Sequence, residues 1–243
     1  MTQFQIETCI LYEDSDILVC RKPTGLAVQN ARMGTMDLES GLKNHLALKQ
    51  PDQIPYLAVI HRLDQPVEGI LVFAKTPAAA KELNRQMTAG EMEKYYLAVT
   101  DRKPALPEGI LEDELRKDGK TNTSQVVSKG TAGAKHARLS YRLWAELSDT
   151  RTRSGKRYLL EIHLDTGRHH QIRVQMSHAG MPLLGDRKYY PEDRSGLPLG
   201  LCAYRLDFFH PVSKKLMRFR GFPSGAGFQG FPYEAKFHGF SGI

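Results

Sequence analysis

Asp64 is the side chain in this sequence best placed for chemistry. In "HRLDQPVEGILVFAK", residues 61–75, it follows Arg62, precedes a Gln-Pro step and stands at the mouth of an apolar run. Backbone before a proline is pushed towards extended or turn conformations, which puts the aspartate on a loop at the end of a strand, where sites are commonly built. An ionised carboxylate held there can act as a nucleophile or stabilise developing positive charge. The competing reading, a turn or capping residue paired with Arg62, is favoured by this segment alone. A second segment, "LDTGRHHQIRVQMSHAGMPLLGD", shifts the weight: Thr166 and Gly167 lead into a helix starting near His169, with Arg173 in its second turn and a stop at Gly180.

Composition limits what this chemistry can serve. With 243 residues, 41% hydrophobic and 25% charged, the chain can bury one substantial core or two modest lobes. No apolar run approaches the roughly 18 residues of a membrane span, and the first residues lack the basic and apolar regions of a signal peptide, so a cytoplasmic protein without a membrane partner is expected. Cys9, Cys20 and Cys202 are odd in number and widely spaced, as packed, reduced thiols would be. The net charge is +7, and between Arg151 and Lys188 eight Lys and Arg face three acids. A solvated face is the usual meaning of such a run, but His163, His169, His170 and His178 lie inside it, and together they favour a phosphate-binding surface. Arg153, Lys156 and Arg157 read as its most exposed cations. Dinucleotide, phosphate-loop and metalloprotease motifs are missing, and the histidines lack a carboxylate or cysteine at ligand spacing, so no metal is expected.

The elements that must position these groups alternate between strand and helix. "IETCILYE" and "DILVCRK" read as strands around a turn at Asp14 and Ser15, and Leu38, Leu42, His45 and Leu46 share one helical face. "GILVFAK" reads as a buried strand. After it, Thr76 caps a helix with Pro77 at its first position and Gly90 at its end. "KYYLAVT" is the next strand, which sends Tyr95 and Tyr96 to opposite faces and gives Tyr95 a packing role. Residues 101–135 read as a connection with one or two short strands, followed by paired strands "ARLSYRLWAEL" and "RYLLEIHL". The Gly- and Phe-rich stretch 224–243 reads as a partly loose tail behind a domain over 1–223. The class is α+β, with strands in the majority.

Three spaced motifs resemble the RluA-type pseudouridine synthases. "HRLDQPVEGILVFAKT" looks like that family's H-R-L-D-x-x-T-S-G-L segment, "EKYYLAV" is similar to its K-x-Y-x-A-x-V strand, and "LDTGRHHQIRVQMSHAGMPLLGDRKY" resembles its L-x-T-G-R-x-H-Q-I-R block ending in G-D. The likeness extends over roughly residues 8 to 223. It implies a central, largely antiparallel mixed sheet in two lobes, with flanking helices and an active-site cleft. It also implies isomerisation of uridine in transfer or ribosomal RNA without metal or organic cofactor; a monomer is expected.

Residue by residue, the resemblance makes Asp64 the catalytic aspartate, Tyr96 the tyrosine against the target base and Arg173 the arginine paired with the aspartate. Arg62, Arg168, His170 and Gln171 match motif positions and are expected to support the site or contact RNA. One departure stands beside Asp64, where Val67 and Glu68 replace the usual Thr-Ser. A charge there disfavours a phosphate at the same place and keeps a glycosidase-like pair, Asp64 with Glu68, in view. That reading leaves Arg173 and the basic stretch unexplained. A third reading, an RNA-binding module of the same fold without activity, gives no reason for an aspartate, a tyrosine and an arginine in these motifs.

Overall fold

A computed structural model describes residues 5–30, 35–49 and 51–233. In chain order, its first elements are β1 (Ile10–Glu13), β2 (Ile17–Lys22), α1 (Leu38–Lys49), β3 (Ala58–Val59), β4 (Glu68–Ala74) and α2 (Pro77–Ala89). Next come β5 (Glu93–Thr100), β6 (Glu108–Asp118), β7 (Thr123–Val127), β8 (Lys135–Ser148) and β9 (Lys156–Leu164). The last are α3 (Gln171–His178), β10 (Leu201–Phe209) and β11 (Leu216–Arg220). The class is α+β. The described residues divide into two compact units, one of those up to Met92 with Ala203–Gly221, the other of Glu93–Cys202 with residues 222–233.

In the first unit β2 pairs antiparallel with β1 and β4, and β10 with β11. All seven residues of β4 are buried, which is why its sequence runs apolar without alternation. Ile70, Val72 and Ala74 join Ile17, Val19, Leu206, Phe208 and Phe219 in a core that Ala79, Ala80 and Leu83 of α2 cover. The caps of α2 are those expected: Ala79 N–H donates to Thr76 Oγ1 at 3.1 Å, and Gly90 ends the helix in the left-handed region. Gln86, buried on α2, exchanges two hydrogen bonds with the backbone of Phe209 at 2.8 and 2.9 Å, tying the helix to β10. On α1 the expected face, Leu38, Leu42, His45 and Leu46, is the buried one.

The second unit carries an antiparallel sheet in the order β5-β9-β8-β6-β7. Here the stretch 101–135, expected to hold one or two short strands, holds two, of which the first is longer than expected at eleven residues and the second has five. Of the apolar positions in β6, Leu115 is buried whereas Ile110 is exposed. The strand is held by its ladders to β7 and β8 rather than by an apolar stripe. Along β8 the alternation runs through Ala137, Leu139 and Tyr141, and a register shift between Leu143 and Ala145 then breaks it.

The Gly- and Phe-rich stretch is packed as far as it is described. Phe228 and Phe231 are buried, and the Arg157 guanidinium donates to the carbonyls of Gly227 and Gln229 at 2.6 and 2.9 Å. Burying two phenylalanines and satisfying a buried cation fixes this segment in the second unit rather than leaving it as a separate tail. Residues 234–243 of the expected tail lie outside the described residues. Cys9, Cys20 and Cys202 are buried, as expected of packed thiols.

Candidate active site

Asp64 stands half-buried in the loop between β3 and β4, and its neighbours are fastened on several sides. Its carbonyl accepts from Val67 N–H at 3.0 Å, closing the Gln65-Pro66 turn. The Gln65 carbonyl accepts from Gly25 N–H at 2.9 Å and from Lys22 Nζ at 3.0 Å, the Gln65 side chain donates back to Gly25 O, and Thr24 Oγ1 donates to Pro66 O at 2.7 Å. The loop carrying Asp64 is thus stitched to the turn that follows β2. Gly69 lies at φ +138°, and a Cβ there would stand 2.4 Å from the backbone oxygen of Ala203, so no other residue fits at this point of β4. Arg62 is exposed.

Glu68 does not present an open charge beside Asp64. Its side chain is buried against Arg21, with Nη2 to Oε2 at 3.3 Å. A carboxylate so paired and enclosed is poorly placed to activate water, which removes the geometric basis of the glycosidase-like pair. It also withdraws the charge expected to repel a phosphate.

In the second unit the Thr-Gly-Arg-His-His-Gln loop is locked by its own side chains. Buried Gln171 accepts from Thr166 Oγ1 at 2.8 Å and from Arg168 N–H at 2.9 Å, and donates to Arg138 O at 3.1 Å. Its amide holds the loop's shape. Exposed Arg168 donates through Nε to His136 O at 2.8 Å. His170 precedes α3 in the left-handed region at φ +53°, so the helix begins at Gln171 rather than near His169. His170 Nδ1 lies 2.8 Å from Tyr189 Oη, which also accepts Ser124 N–H at 2.7 Å.

Arg173, buried on α3, forks onto Asp186, Nε to Oδ2 at 2.8 Å and Nη2 to Oδ1 at 2.7 Å, with Tyr189 beneath its guanidinium. Asp186 is the residue that motif reading left without a role, although the terminal G-D pair marked it. Gly185 before it has φ +74°, and a Cβ would meet the Pro198 carbonyl carbon at 2.3 Å. Tyr96 is buried on β5 opposite Ile162, while Tyr95 on the other face is half-buried and stacks on His163 at 4.7 Å.

The basic stretch differs from its expectation in one important respect. Arg157 is buried and bonded, with Nε 2.6 Å from Asp149 Oδ2, and is no surface cation. Arg151 pairs with the same aspartate and Lys156 with Glu146, leaving Arg153 exposed between them. Among the described residues one group, Asp14, Asp16 and His210, gathers possible metal donors. Asp14 accepts from the Asp16 and Ile17 amides and from Tyr12, and His210 Nε2 lies 2.8 Å from it. His210 Nδ1 accepts from the Val212 and Ser213 amides, so these donors already serve a turn.

The family model for RNA pseudouridylate synthase matches residues 16–178. The dual-specificity RNA pseudouridine synthase RluA of Escherichia coli K12 is 35% identical over 213 residues, 87% of this chain and 91% of its own length. The ribosomal large subunit pseudouridine synthase D of Xylella fastidiosa is 35% identical over 234 residues. That alignment takes in 84% of this chain but 62% of the relative, so the chain spans less than two thirds of that protein. The solved structure of human RNA pseudouridylate synthase domain containing 4 superposes with a TM-score of 0.71 at 21% identity, covering 90% of each chain. The chain belongs to the RluA-type RNA pseudouridine synthases and has their α+β fold.

Proposed function

We propose that this protein isomerises uridine to pseudouridine in transfer or ribosomal RNA, acting in the cytoplasm, with Asp64 as the catalytic carboxylate. The observation that carries the reading is the immobilised loop. A carboxylate followed directly by two residues tied to the β2 turn is presented in one orientation, as attack on, or charge stabilisation at, a sugar carbon requires. The reaction breaks the bond from C1′ to N1, turns the base, and forms the bond from C1′ to C5. The proton on C5 leaves and N1 regains one, so the product is an isomer and no net oxidant or water is consumed.

Following the motif match, Tyr96 offers an aromatic face to the extruded uracil, and its hydroxyl is the group proposed to help remove the C5 proton. Arg173 is the cation matched to the ionised aspartate. Arg62 and Arg168, both exposed, are read as RNA contacts; His170 and Gln171 support the loop that carries Arg173. Flipping a base costs a few kcal/mol, which stacking and phosphate contacts must offset.

The test incubates the protein with unmodified transcripts of large-subunit ribosomal RNA and of transfer RNAs and maps pseudouridine by base-specific chemical adducts. The expected result is conversion at one or a few defined uridines. Release of free uracil would make the protein a hydrolase instead, and RNA binding without any conversion would make it a binding module.

A further inference from the structure

The hairpin of β10 and β11 carries charge that the site described above does not use. Between Leu201 and Gly221 five Lys and Arg stand against one acid, Asp207, a steeper imbalance than the eight to three of the basic stretch. The register of the two strands sorts these groups. Arg205 lies opposite Arg220, Asp207 opposite Arg218, and Phe209 opposite Leu216. Alternate strand residues share a face, so the six make three rows on one side of the hairpin, while Leu206, Phe208 and Phe219 turn the other way into the core under α2.

Two arginines directly across from each other repel, and the answering acid is a single one. Asp207, itself buried, accepts from Arg205 Nε at 3.0 Å and lies 3.7 Å from Arg218 Nε. The face therefore sets three guanidiniums against one carboxylate. Beyond these rows it becomes apolar yet stays open: Phe209 is 41% and Leu216 46% exposed, and Lys215 beside them is exposed. Lys214 is drawn aside to Glu82 on α2 at 3.2 Å. Charges alone can serve to keep a sheet edge from pairing with other chains, but that role gives no use to an open phenylalanine. The face also starts at the strand that leads out of the Asp64 loop. Ala203, two residues before Arg205 and so on the same face of β10, lies against Gly69, where an added Cβ would come within 2.6 Å of its own Cβ.

We propose that this hairpin face is a further RNA-binding surface, on which Arg205, Arg218, Arg220 and Lys215 take phosphates and Phe209 stacks on an unpaired base of the segment flanking the target uridine. The inference rests on the reading of RNA as the substrate. Alternating cationic and aromatic groups match a strand of phosphates and bases, whereas an acidic protein segment would answer the guanidiniums and leave Phe209 unused.

The experiment uses the transcript that the parent converts, or failing conversion binds most tightly, and measures its affinity between about 50 and 200 mM salt. Joint replacement of Lys215 and Arg218 by glutamine should weaken binding and lower the slope of log affinity against log salt by about one for each cation removed. Phe209→Ser should weaken binding by about 10-fold and leave the slope as it is, since a stack neutralises no phosphate, and Phe209→Tyr should restore the affinity. The losses should appear in the RNA concentration that half-saturates conversion rather than in the saturated rate. With 4-thiouridine in the transcript, ultraviolet crosslinks to the parent should map to β10 and β11.

Parent-like affinity in the Lys215 and Arg218 double variant or in Phe209→Ser would overturn the proposal, as would a slower saturated rate at parent affinity. Should the variants fail to fold, the crosslinks decide: RNA attached elsewhere with the hairpin untouched refutes the surface. A parent that binds the transcript and forms no pseudouridine overturns the reaction assigned above instead, and the affinities still test the hairpin.

Discussion

Arg173 illustrates how far single residues can be read from a motif and where such reading stops. Its place on a helix after the Thr-Gly-Arg loop followed from capping and turn chemistry, but its fork onto Asp186 did not. Two residues thirteen apart in sequence meet only because Gly185 turns the backbone in a conformation closed to other residues. The pair is buried on both sides, so Asp186→Ala should remove the fork that holds the Arg173 guanidinium and destabilise the second unit by about 3–5 kcal/mol. Denaturant unfolding would measure it, and a cost below about 1 kcal/mol would mean that the pair is readily replaced by water. Glu68 shows the opposite failure. Sequence alone put its charge near Asp64, and only the fold reveals that Arg21 takes it up.

At the scale of elements, legibility followed the source of each element's stability. The buried run of β4 and the caps of α2 are written in residue types, because apolar burial and end-capping act locally. β6 is not, since its ladders connect residues far apart in sequence and its side chains are half in water. The join of β1 to α1 was equally hidden. Glu13 accepts from Lys49 at 2.8 Å, from Lys75 at 2.9 Å and lies 3.0 Å from His45. Burial works to raise its pKa, but these three partners bring it from 4.5 down to about 2. The folded state therefore holds this carboxylate ionised more firmly than the unfolded chain does. Its stabilisation is complete above about 4.5 and is lost as pH falls towards 2, a swing of about 2–3 kcal/mol. Glu13→Gln should flatten acid unfolding over that interval. An unaltered acid profile would place the sensitivity elsewhere.

Over the whole molecule, the net charge of +7 suits a polyanionic partner, but charge counted along the sequence overstates what reaches the surface. Arg157 and Arg173 contribute to the basic stretch in sequence and are buried in ion pairs in the fold. Replacing Arg153 and Arg168, both exposed, with glutamine should lower the slope of RNA affinity against salt by about one for each phosphate no longer neutralised. Arg157→Met should leave that slope alone and lower the unfolding temperature instead. If the slope responded to Arg157 and ignored the other two, the RNA path drawn here would be wrong.

The central claim is that Asp64 carries the reaction, and one substitution tests it most directly. Asp64→Asn keeps the side chain's shape and removes the charge, and the loop that holds it is fastened through backbone groups the change does not touch. Pseudouridine mapped on a transcript that the parent converts should vanish with this variant, while its unfolding temperature and RNA affinity stay near the parent's. Pseudouridine formed by Asp64→Asn at a rate close to the parent's would contradict the account.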